Sequence, residues 1–190
     1  MKSIILIGGK AEHGKDSVAE LIKNKLNEKP FILHYGDYVK FVCKKYFNWN
    51  GEKDEVGRQI LQTIGTDKIR TIKDDFWIEA VCNLIKVLKN DYDLFIVPDV
   101  RFLNEIHIPS RMFWNYKIIT VKVERNNYTS ELTEEQNDHV SENELNSYKF
   151  DYVIQSESGL DNLEAEVDKF IPWLNEKIKD WTIKKEKRSK

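Results

Sequence analysis

A glycine-rich segment near the start of the chain has the residue types and the spacing of a phosphate-binding loop. Residues 8–17 read GGKAEHGKDS and follow directly on the apolar residues 4–7. The GxxxxGK spacing favours a tight turn between a buried strand and a helix. In such a turn the backbone N–H groups form an anion nest, and the lysine adds a positive charge. We therefore expect the following residues to hold a phosphorylated ligand: Gly9, Lys10, Gly14 and Lys15.

The hydroxyl group of this loop is displaced by one position. The usual motif has Ser or Thr after the lysine as a magnesium ligand, whereas here Asp16 follows Lys15 and the hydroxyl comes at Ser17. Two interpretations of Asp16 are open: it orients magnesium or its waters, or it stabilises the first turn of the helix. Ser17 is expected to face the phosphates, and a magnesium ion held by nucleotide and water needs few protein ligands. The displacement favours a small-molecule kinase.

Short apolar strands alternate with amphipathic helices along the chain. This alternation predicts an α/β fold of three layers, in which helices cover both faces of a mostly parallel, five-stranded sheet. A helical region is interrupted near Gly65, and the polar residues 126–144 are interpreted as a mobile insertion. The predicted strands cover residues 4–7, 31–34, 94–97, 118–123 and 153–154, and the predicted helices cover residues 15–27, 38–47, 78–88 and 160–178.

Charged residues follow three of the predicted strands, at the carboxyl edge where parallel sheets bind ligands. Asp37 and Arg125 follow the second and the fourth strand. Asp99 follows the third and is expected to orient magnesium or its water; a strand-end cap or a salt bridge to Arg101 is the alternative. Arg101 has the fork geometry that suits a phosphate, and a pairing with Asp99 or Glu105 is its alternative.

Two arginines, Arg58 and Arg70, flank a helical segment and suit the phosphate of a second substrate. Exposed helix arginines are more commonly just solvated, so this interpretation depends on context. Arg125 opens the polar insertion, and an arginine on a closing lid neutralises charge that develops during phosphoryl transfer. His139 and Ser141 lack the nucleophile elbow of a hydrolase. We expect a local hydrogen bond between them that orders the lid.

Composition bounds the class of protein. At 190 residues one domain is expected, and the formal net charge of -2 offers no basic field for nucleic acid. The apolar N-terminal stretch is too short for a signal peptide or a membrane span. Cys43 and Cys82 lack metal or redox spacing and are expected to be buried thiols of a reducing compartment. Trp77 is expected in the core or as the wall of an acceptor pocket, and residues 181–190 as a frayed, basic tail.

Taken in order, the short motifs of this chain resemble the bacteriophage-type deoxynucleoside monophosphate kinases, which belong to the nucleoside monophosphate kinase group of phosphate-loop (P-loop) enzymes. The resemblance covers about residues 3–174. The region 47–58, which helps to define the base pocket, is shorter than in larger members of the family. The matching motifs are GKDS at 14–17, LQ at 61–62, GTD at 65–67, FW at 76–77, VPDVR at 97–101, VER at 123–125, DH at 138–139, SE at 141–142, DYVI at 151–154 and GL at 159–160.

The resemblance implies transfer of the γ-phosphoryl group of ATP to a deoxynucleoside 5′-monophosphate, with Mg²⁺ as cofactor. It implies a P-loop NTPase domain over residues 1–180, with acceptor-binding helices near 37–75 and a lid near 125–147. A cytoplasmic location (the host's, if phage-encoded) and a monomer or homodimer are expected, with small-molecule partners only.

The resemblance also implies a role for each matching residue. The catalytic residues would be Lys15, Arg101 and Arg125. The ATP-binding residues would be Gly9, Lys10, Gly14, Lys15, Asp16, Ser17, Arg125, Ser156 and Gly159. The acceptor-binding residues would be Asp37, Lys40, Arg58, Gln62, Arg70, Trp77, Asp99, Arg101, His139 and Glu142. The magnesium ligands, directly or through water, would be Asp16, Ser17 and Asp99.

Two other functions remain open at this point. One is another P-loop kinase with a phosphorylated acceptor, of the phosphomevalonate or dephospho-coenzyme A type, because acceptor arginines suit any phosphate. The other is a nucleotide-binding module that docks partners without making product. The segment from Arg58 to Arg70 and the lid argue against this second function. The accepted base, and the choice between deoxyribose and ribose, depend on hydrogen bonds that the sequence does not reveal.

Overall fold

Five parallel strands of the described chain form one sheet in the order β2-β3-β1-β4-β5. The computed structural model describes residues 2–27, 30–130, 132–157 and 159–188. The strands are β1 (Ser3–Gly8), β2 (Phe31–Ile32), β3 (Leu94–Val100), β4 (Lys117–Arg125) and β5 (Tyr152–Ser156). The helices are α1 (Lys15–Lys25), α2 (Tyr35–Tyr46), α3 (Glu55–Gln62), α4 (Ile69–Ile72), α5 (Phe76–Leu88), α6 (Asn104–Met112), α7 (Glu134–Asp138), α8 (Val140–Asn143) and α9 (Leu160–Arg188).

Alternating side chains of the central strand β1 pack into two separate hydrophobic cores. Ile4 and Leu6 lie in a core with α5 and α6, whereas Ile5 and Ile7 lie in a second core with α1 and α9. Successive side chains of a strand point to opposite faces of the sheet, so a strand of apolar residues needs cover on both faces. All four side chains are buried. The three-layer α/β/α fold predicted from the sequence is confirmed, and the sheet is parallel throughout.

Strand β2 and helix α2 differ from the sequence-based prediction at their boundaries. Strand β2 ends two residues early, at Ile32, and α2 begins three residues early, at Tyr35. The backbone N–H groups of Tyr35 and Gly36 donate to the carboxylate of Asp99 at the end of β3. A carboxylate that accepts first-turn N–H groups stabilises the start of a helix. The boundary is therefore set by a residue 64 positions away from Tyr35.

The helical region around Gly65 is continuous, whereas the sequence predicts an interruption. A π-helical turn, Thr63–Lys68, joins α3 to α4. Gly65 is buried there, and a Cβ atom added to it would lie 2.8 Å from Cγ1 of Val39 on α2. Its carbonyl oxygen accepts a hydrogen bond from Nε1 of Trp77 at 2.8 Å. The glycine therefore allows close packing of α2 and does not end the helix.

Three further segments differ from the sequence-based prediction. Helix α6 is not predicted, because Pro109 lies inside it and proline disfavours helix interiors. Residues 126–144, predicted as a mobile insertion, contain α7 and α8, and a capping box between Thr133 and Gln136 begins α7. Helix α9 continues to Arg188, so residues 181–188 of the predicted frayed tail are helical, and residues 189 and 190 lie outside the described residues. Lysine and glutamate, which dominate this end, are good helix formers.

The two cysteines are buried free thiols, as the sequence predicts. Burial raises the pKa of the Cys82 thiol to about 12, which keeps it in the unreactive thiol form. Within the described residues, no helix is both long and apolar enough to cross a membrane.

The junction between β1 and the following loop has room for glycine only. Gly9 has φ of 143°, and a Cβ atom added to it would lie 2.4 Å from the carbonyl oxygen of Val123 on β4. We predict that Gly9→Ala lowers the free energy of unfolding by about 2 kcal/mol or more, because φ strain and backbone overlap add together. Urea unfolding followed by circular dichroism measures this loss.

A matched control separates these two causes. Gly51 also has a positive φ, 101°, but the nearest atom to its added Cβ would be Nζ of Lys44 at 3.9 Å. Gly51→Ala therefore carries the φ strain alone and is expected to cost about 1 kcal/mol. Equal losses in the two variants would contradict the role assigned to the close approach of Gly9 to β4.

Candidate active site

The loop between β1 and α1 encloses the ammonium group of Lys15. This side chain is buried, and its Nζ donates to the carbonyl oxygen of Lys10 at 2.6 Å. Burial, followed by the positive charge of Arg101, lowers the pKa of Lys15 to about 7. Gly14, with φ of 88°, is the N-cap of α1 and brings no side chain to cover the first-turn N–H groups. An anion that enters here would stabilise both the ammonium group and these N–H groups.

A carboxylate from the segment after β4 reaches this loop. Glu142, on α8, accepts the backbone N–H of Ala11 at 2.8 Å and pairs with Nη1 of Arg101 at 2.5 Å. The Arg101 guanidinium therefore pairs with neither of the two acids that the sequence offered, Asp99 and Glu105. Because a carboxylate is itself an anion, Glu142 occupies donors that a phosphate oxygen would use.

The other two arginines of the predicted second phosphate site also have carboxylate partners. Arg58 pairs with Glu12 of the loop at 2.5 Å. Arg70 pairs with Glu105, and its guanidinium lies over the ring of Phe102, 4.1 Å from the ring centroid. The side chains of Arg58 and Arg70 are 26% and 10% exposed, so neither is an ordinary solvated arginine. Binding of a second phosphate by Arg58 and Arg70 stays a prediction.

The partner of Arg70 is a buried acid with several donors around it. Glu105 is 2% exposed, and its Oε2 accepts the backbone N–H groups of Arg101 at 2.6 Å and Phe102 at 3.0 Å. Burial raises the pKa of Glu105 to about 7, and the positive charge of Arg70 opposes that rise. The sequence pointed to Glu105 only as one candidate partner of Arg101.

Asp99 is a cap at the end of its strand, which the sequence analysis gave as an alternative to magnesium binding. Its Oδ1 accepts the N–H of Tyr35 at 3.0 Å and its Oδ2 accepts the N–H of Gly36 at 2.7 Å. It is therefore a cap at the end of β3 that fixes the start of α2. Burial raises the pKa of Asp99, while these two hydrogen bonds and His34 oppose the rise. A magnesium role for Asp99 stays a prediction.

Asp16 contacts a histidine that the sequence did not single out. Its Oδ1 lies 3.0 Å from Nε2 of His34, a contact that lowers the pKa of Asp16 and raises that of His34. On its other side, Nδ1 of His34 lies 3.4 Å from Asp37, which pairs with Lys40 at 2.8 Å. Asp16 thus lies exposed in the first turn of α1. Ser17 is exposed beside it.

Two cavities adjoin the loop and share Arg101 and Glu142. The larger one, called the large cleft below, has a volume of about 360 Å³, and the smaller one, the small cavity, about 200 Å³. Candidate residues along the large cleft are Lys15, Asp16, Lys40, Arg58, Gln62, Arg70, Trp77, Asp99, Arg101 and Glu142. Candidate residues along the small cavity are Gly9, Lys10, Arg101, Arg125 and Glu142.

Six candidates line neither cavity: Gly14, Ser17, Asp37, His139, Ser156 and Gly159. Nδ1 of His139 accepts the backbone N–H of Ser141 and lies 2.8 Å from its hydroxyl oxygen. This is the local hydrogen bond expected from the sequence, and it caps α8. Ser156, at the end of β5, is buried and its hydroxyl donates to the carbonyl oxygen of Glu157 at 2.7 Å. Gly159, with φ of 114°, precedes α9.

Arg125 and the loop meet through residues that the sequence analysis missed. The guanidinium of Arg125 lies 4.4 Å from the ring centroid of Tyr128, and its backbone N–H donates to Nδ1 of His13 at 3.2 Å. The Tyr128 hydroxyl donates to Glu12, the same carboxylate that pairs with Arg58. The position of Glu12 inside the GxxxxGK motif was the one available signal for its role.

The described residues hold no cluster of three or more His, Cys, Asp or Glu side chains that could by itself bind a metal ion. Asp16 is an exposed carboxylate next to the phosphate loop and also lines the large cleft. This donor set fits a magnesium ion that is held mainly by phosphate oxygens and water.

The sequence from residue 34 to residue 167 matches the family model described as deoxynucleotide monophosphate kinase. The match covers more than half of the chain and includes α2, the π-helical turn, β3, β4, α7 and α8. Comparison with curated protein sequences gives no match.

Several solved structures share the fold at low sequence identity. A sugar kinase from Janibacter sp. HTCC2649 aligns with a TM-score of 0.54 and 9% identity over 92% of this chain and 95% of that chain. Dephospho-CoA kinase from Campylobacter jejuni aligns with a TM-score of 0.52 and 14% identity, over 94% of this chain and 98% of that chain. Mycobacterium tuberculosis APS kinase in complex with AMPPNP and APS aligns with a TM-score of 0.50 and 13% identity, over 90% of this chain and 98% of that chain. These likenesses show the fold, which is that of P-loop kinases.

The lowered pKa of Lys15 gives a pH dependence of polyphosphate binding. Because the pKa in the free protein is about 7, Lys15 is mostly neutral at pH 8 and mostly charged at pH 6. Bound phosphate raises this pKa, so ATP binding is expected to take up about 0.9 proton at pH 8 and little through Lys15 at pH 6. ATP affinity should fall as the pH rises above 7. Calorimetry in buffers of different ionisation enthalpy measures the uptake.

Lys15→Arg is the control for this prediction. Arginine stays charged throughout this pH range, so the variant should bind ATP at pH 8 without taking up that proton. Equal proton uptake in the variant and the wild type would assign the effect to another group.

Proposed function

The chain belongs to the deoxynucleotide monophosphate kinase family, and on this premise we propose that it transfers the γ-phosphoryl group of ATP to a deoxynucleoside 5′-monophosphate. One observation carries the proposal beyond the family assignment. The buried Lys15 of the phosphate loop lines the same cleft as three arginines from three separate segments, Arg58, Arg70 and Arg101. A site for one nucleotide needs a phosphate loop, whereas a cleft with three additional arginines suits the phosphate of a second substrate.

The donor half of the site is assigned to the loop and its surroundings. The backbone from Gly9 to Gly14 and the Lys15 ammonium group would hold the ATP phosphates. Arg125 lines the small cavity next to this loop and would contact ATP from the lid. Ser156 and Gly159 would lie near the adenine ring through their backbones. Magnesium, when bound, supplies further positive charge to the phosphates, and Asp16 would hold it through water, with Ser17 or Asp99 as further ligands.

The acceptor half is assigned to the large cleft. Its volume of about 360 Å³ is that of a small-molecule pocket. Arg58, Arg70 and Arg101 would contact the acceptor phosphate or the transferred group. Apolar side chains at Val39, Leu61 and Phe102 line the cleft, and the uncharged polar side chains of Gln62 and Thr66 lie among them. These two side chains would hydrogen-bond the base of the acceptor.

Further acceptor contacts are assigned to Lys40, Trp77 and Asp99, which line the same cleft. Trp77 is 1% exposed, and its Nε1 already donates to Gly65, so it would serve as a wall of the cleft. Asp37 and His139 lie outside the cleft lining and would act on the acceptor through their neighbours. Asp37 pairs with Lys40 at 2.8 Å.

The reaction requires alignment and charge neutralisation, and no strong general base. The attacking atom is a phosphate oxygen of the acceptor, which is largely ionised at neutral pH. Lys15, Arg101 and Arg125 would offset the negative charge of the two approaching substrates. Because Glu142 accepts the Ala11 N–H and pairs with Arg101, incoming phosphates compete with its carboxylate for both. Closure of the lid would exclude water, which would otherwise hydrolyse ATP.

The remaining assignments follow the family. We propose a kinase domain over residues 1–180, with acceptor-binding helices near 37–75 and the lid near 125–147. We also propose a monomer or homodimer with small-molecule partners. A cytoplasmic location is consistent with the two buried free thiols, and a lack of nucleic-acid partners is consistent with the net charge of -2.

A coupled assay of ADP formation across dAMP, dGMP, dCMP, dTMP and the four ribonucleotides tests the proposed function. We expect at least one deoxynucleoside monophosphate to stimulate ADP formation well above the rate with ATP alone. Lys15→Ala should abolish this stimulation while the protein stays folded, because the lysine acts on phosphates. No stimulation by any monophosphate would favour another phosphorylated acceptor. Wild-type turnover in Lys15→Ala would overturn the assignment of the loop.

The position of Arg125 at the end of β4 gives a second prediction. If Arg125 neutralises charge in the transition state, Arg125→Ala should lower kcat by about 100-fold and change the KM for ATP by less than about threefold. Steady-state kinetics with the best acceptor measures both constants. Lys122→Ala, three residues earlier along the same small cavity, is the matched control and should leave kcat nearly unchanged. Equal losses in kcat and in ATP affinity would argue against a lid role.

A further inference from the structure

Glu105 contacts the segments that carry two of the three cleft arginines, and the proposed function gives it no role. It lies in the first turn of α6, directly after β3. The Oε1 atom pairs with the Arg70 guanidinium. The Oε2 atom accepts the backbone N–H groups of Arg101 at 2.6 Å and Phe102 at 3.0 Å. The two oxygens of one carboxylate therefore hold two different segments.

The guanidinium of Arg70 is held on several sides around this contact. Its Nη1 donates to the carbonyl oxygen of Asp74 at 2.9 Å and to Oδ1 of Asn104 at 3.4 Å, and its Nη2 donates to Glu105. One face stacks on Phe102 at 4.1 Å. These contacts use three of the five N–H bonds of the arginine, and Arg70 also lines the large cleft. The orientation of the fork is thus fixed before a ligand arrives.

The second oxygen of Glu105 sets the main chain that carries Arg101. The two N–H groups that it accepts belong to the turn between β3 and α6, from which the Arg101 side chain reaches Glu142 and both cavities. Glu105 is 2% exposed and is held by these main-chain donors as well as by Arg70. Its position therefore does not depend on the arginine alone. The other two acids, Glu12 and Glu142, belong to the loop and to the lid segment.

We propose that Glu105 is a positioning residue for the acceptor phosphate: one buried carboxylate fixes the Arg70 guanidinium and the Arg101 backbone at a set separation, so that both face the same phosphate. This inference rests on the proposed function. It assigns no contact between Glu105 and substrate. Two guanidinium groups bind one phosphate together only when both are held in the right places, and a misplacement of about 1 Å at such a site weakens binding strongly.

Glu105→Gln against Glu144→Gln is the matched comparison. The glutamine amide at position 105 would turn an N–H donor towards Arg70 or towards the backbone donors. Glu144 also accepts a backbone N–H of this turn, that of Leu103 at 2.7 Å, and its hydrogen bonds include neither arginine. Both variants thus lose a carboxylate that holds the same turn. Thermal unfolding verifies that each variant is folded.

Two ligands are compared: the best monophosphate acceptor from the assay and the same deoxynucleoside without its phosphate. The KM is measured for the monophosphate, and the inhibition constant is measured for the nucleoside. In Glu105→Gln, the KM for the monophosphate should rise about tenfold or more, while the inhibition constant of the nucleoside and the KM for ATP change less than about twofold. Glu144→Gln should change all three less than about twofold. Equal weakening of monophosphate and nucleoside in Glu105→Gln would overturn the inference and leave Glu105 a structural residue.

A double-mutant cycle with Arg70→Ala tests whether Glu105 acts through this arginine. In the Arg70→Ala background, Glu105→Gln should raise the monophosphate KM by clearly less than in the wild type, because the partner is already absent. Additive effects would overturn the inference. If Glu105→Gln does not fold, Glu105→Asp, which keeps the charge and shortens the reach, takes its place with the same expected split between monophosphate and nucleoside. A wild type that uses no monophosphate would instead overturn the proposed function, before any variant is made.

Discussion

Concentrated positive charge in a partly buried cleft is the constraint around which this site is built. The ammonium group of Lys15 and three guanidinium groups reach one cleft from four segments of the chain. Burial and the neighbouring arginine lower the pKa of Lys15 to about 7, because both disfavour its charged form. Three carboxylates offset part of the repulsion: Glu12 beside Arg58, Glu105 beside Arg70 and Glu142 beside Arg101. Each of the three cleft arginines therefore has a carboxylate partner within the protein.

The three carboxylates differ in what an incoming phosphate can do to them. Glu142 accepts a loop N–H and pairs with Arg101, and under the proposed function a phosphate would compete with it for both donors. Glu105 is buried and held by two main-chain N–H groups, so its place is fixed by the backbone. Under the proposed function, Glu142 would be displaced by substrate, whereas Glu105 would keep its contacts. A preorganised scaffold lowers the cost of ordering the site when substrate binds.

Much of the fold follows from local patterns in the sequence. The apolar run of β1 and the helical spacing after Lys15 have the strand–loop–helix order that a phosphate loop requires, and the three-layer α/β/α architecture is confirmed. The patterns failed where distant groups decide the local structure. The start of α2 is set by Asp99 on β3, and Gly65 leaves room for Val39 of α2, which a larger side chain would overlap. Periodicity in one segment contains no information about such partners.

The same division holds for the site. The sequence alone identified the strand–loop–helix segment and its lysine, because residue type and spacing along the chain are enough to recognise a phosphate loop. Only the tertiary structure decided which acid stands beside which arginine, because an ion pair depends on distances between segments. The sequence offered Asp99 and Glu105 as partners of Arg101, and the fold instead gave it Glu142, 41 positions away. Asp99 instead caps the start of α2, and Glu105 pairs with Arg70.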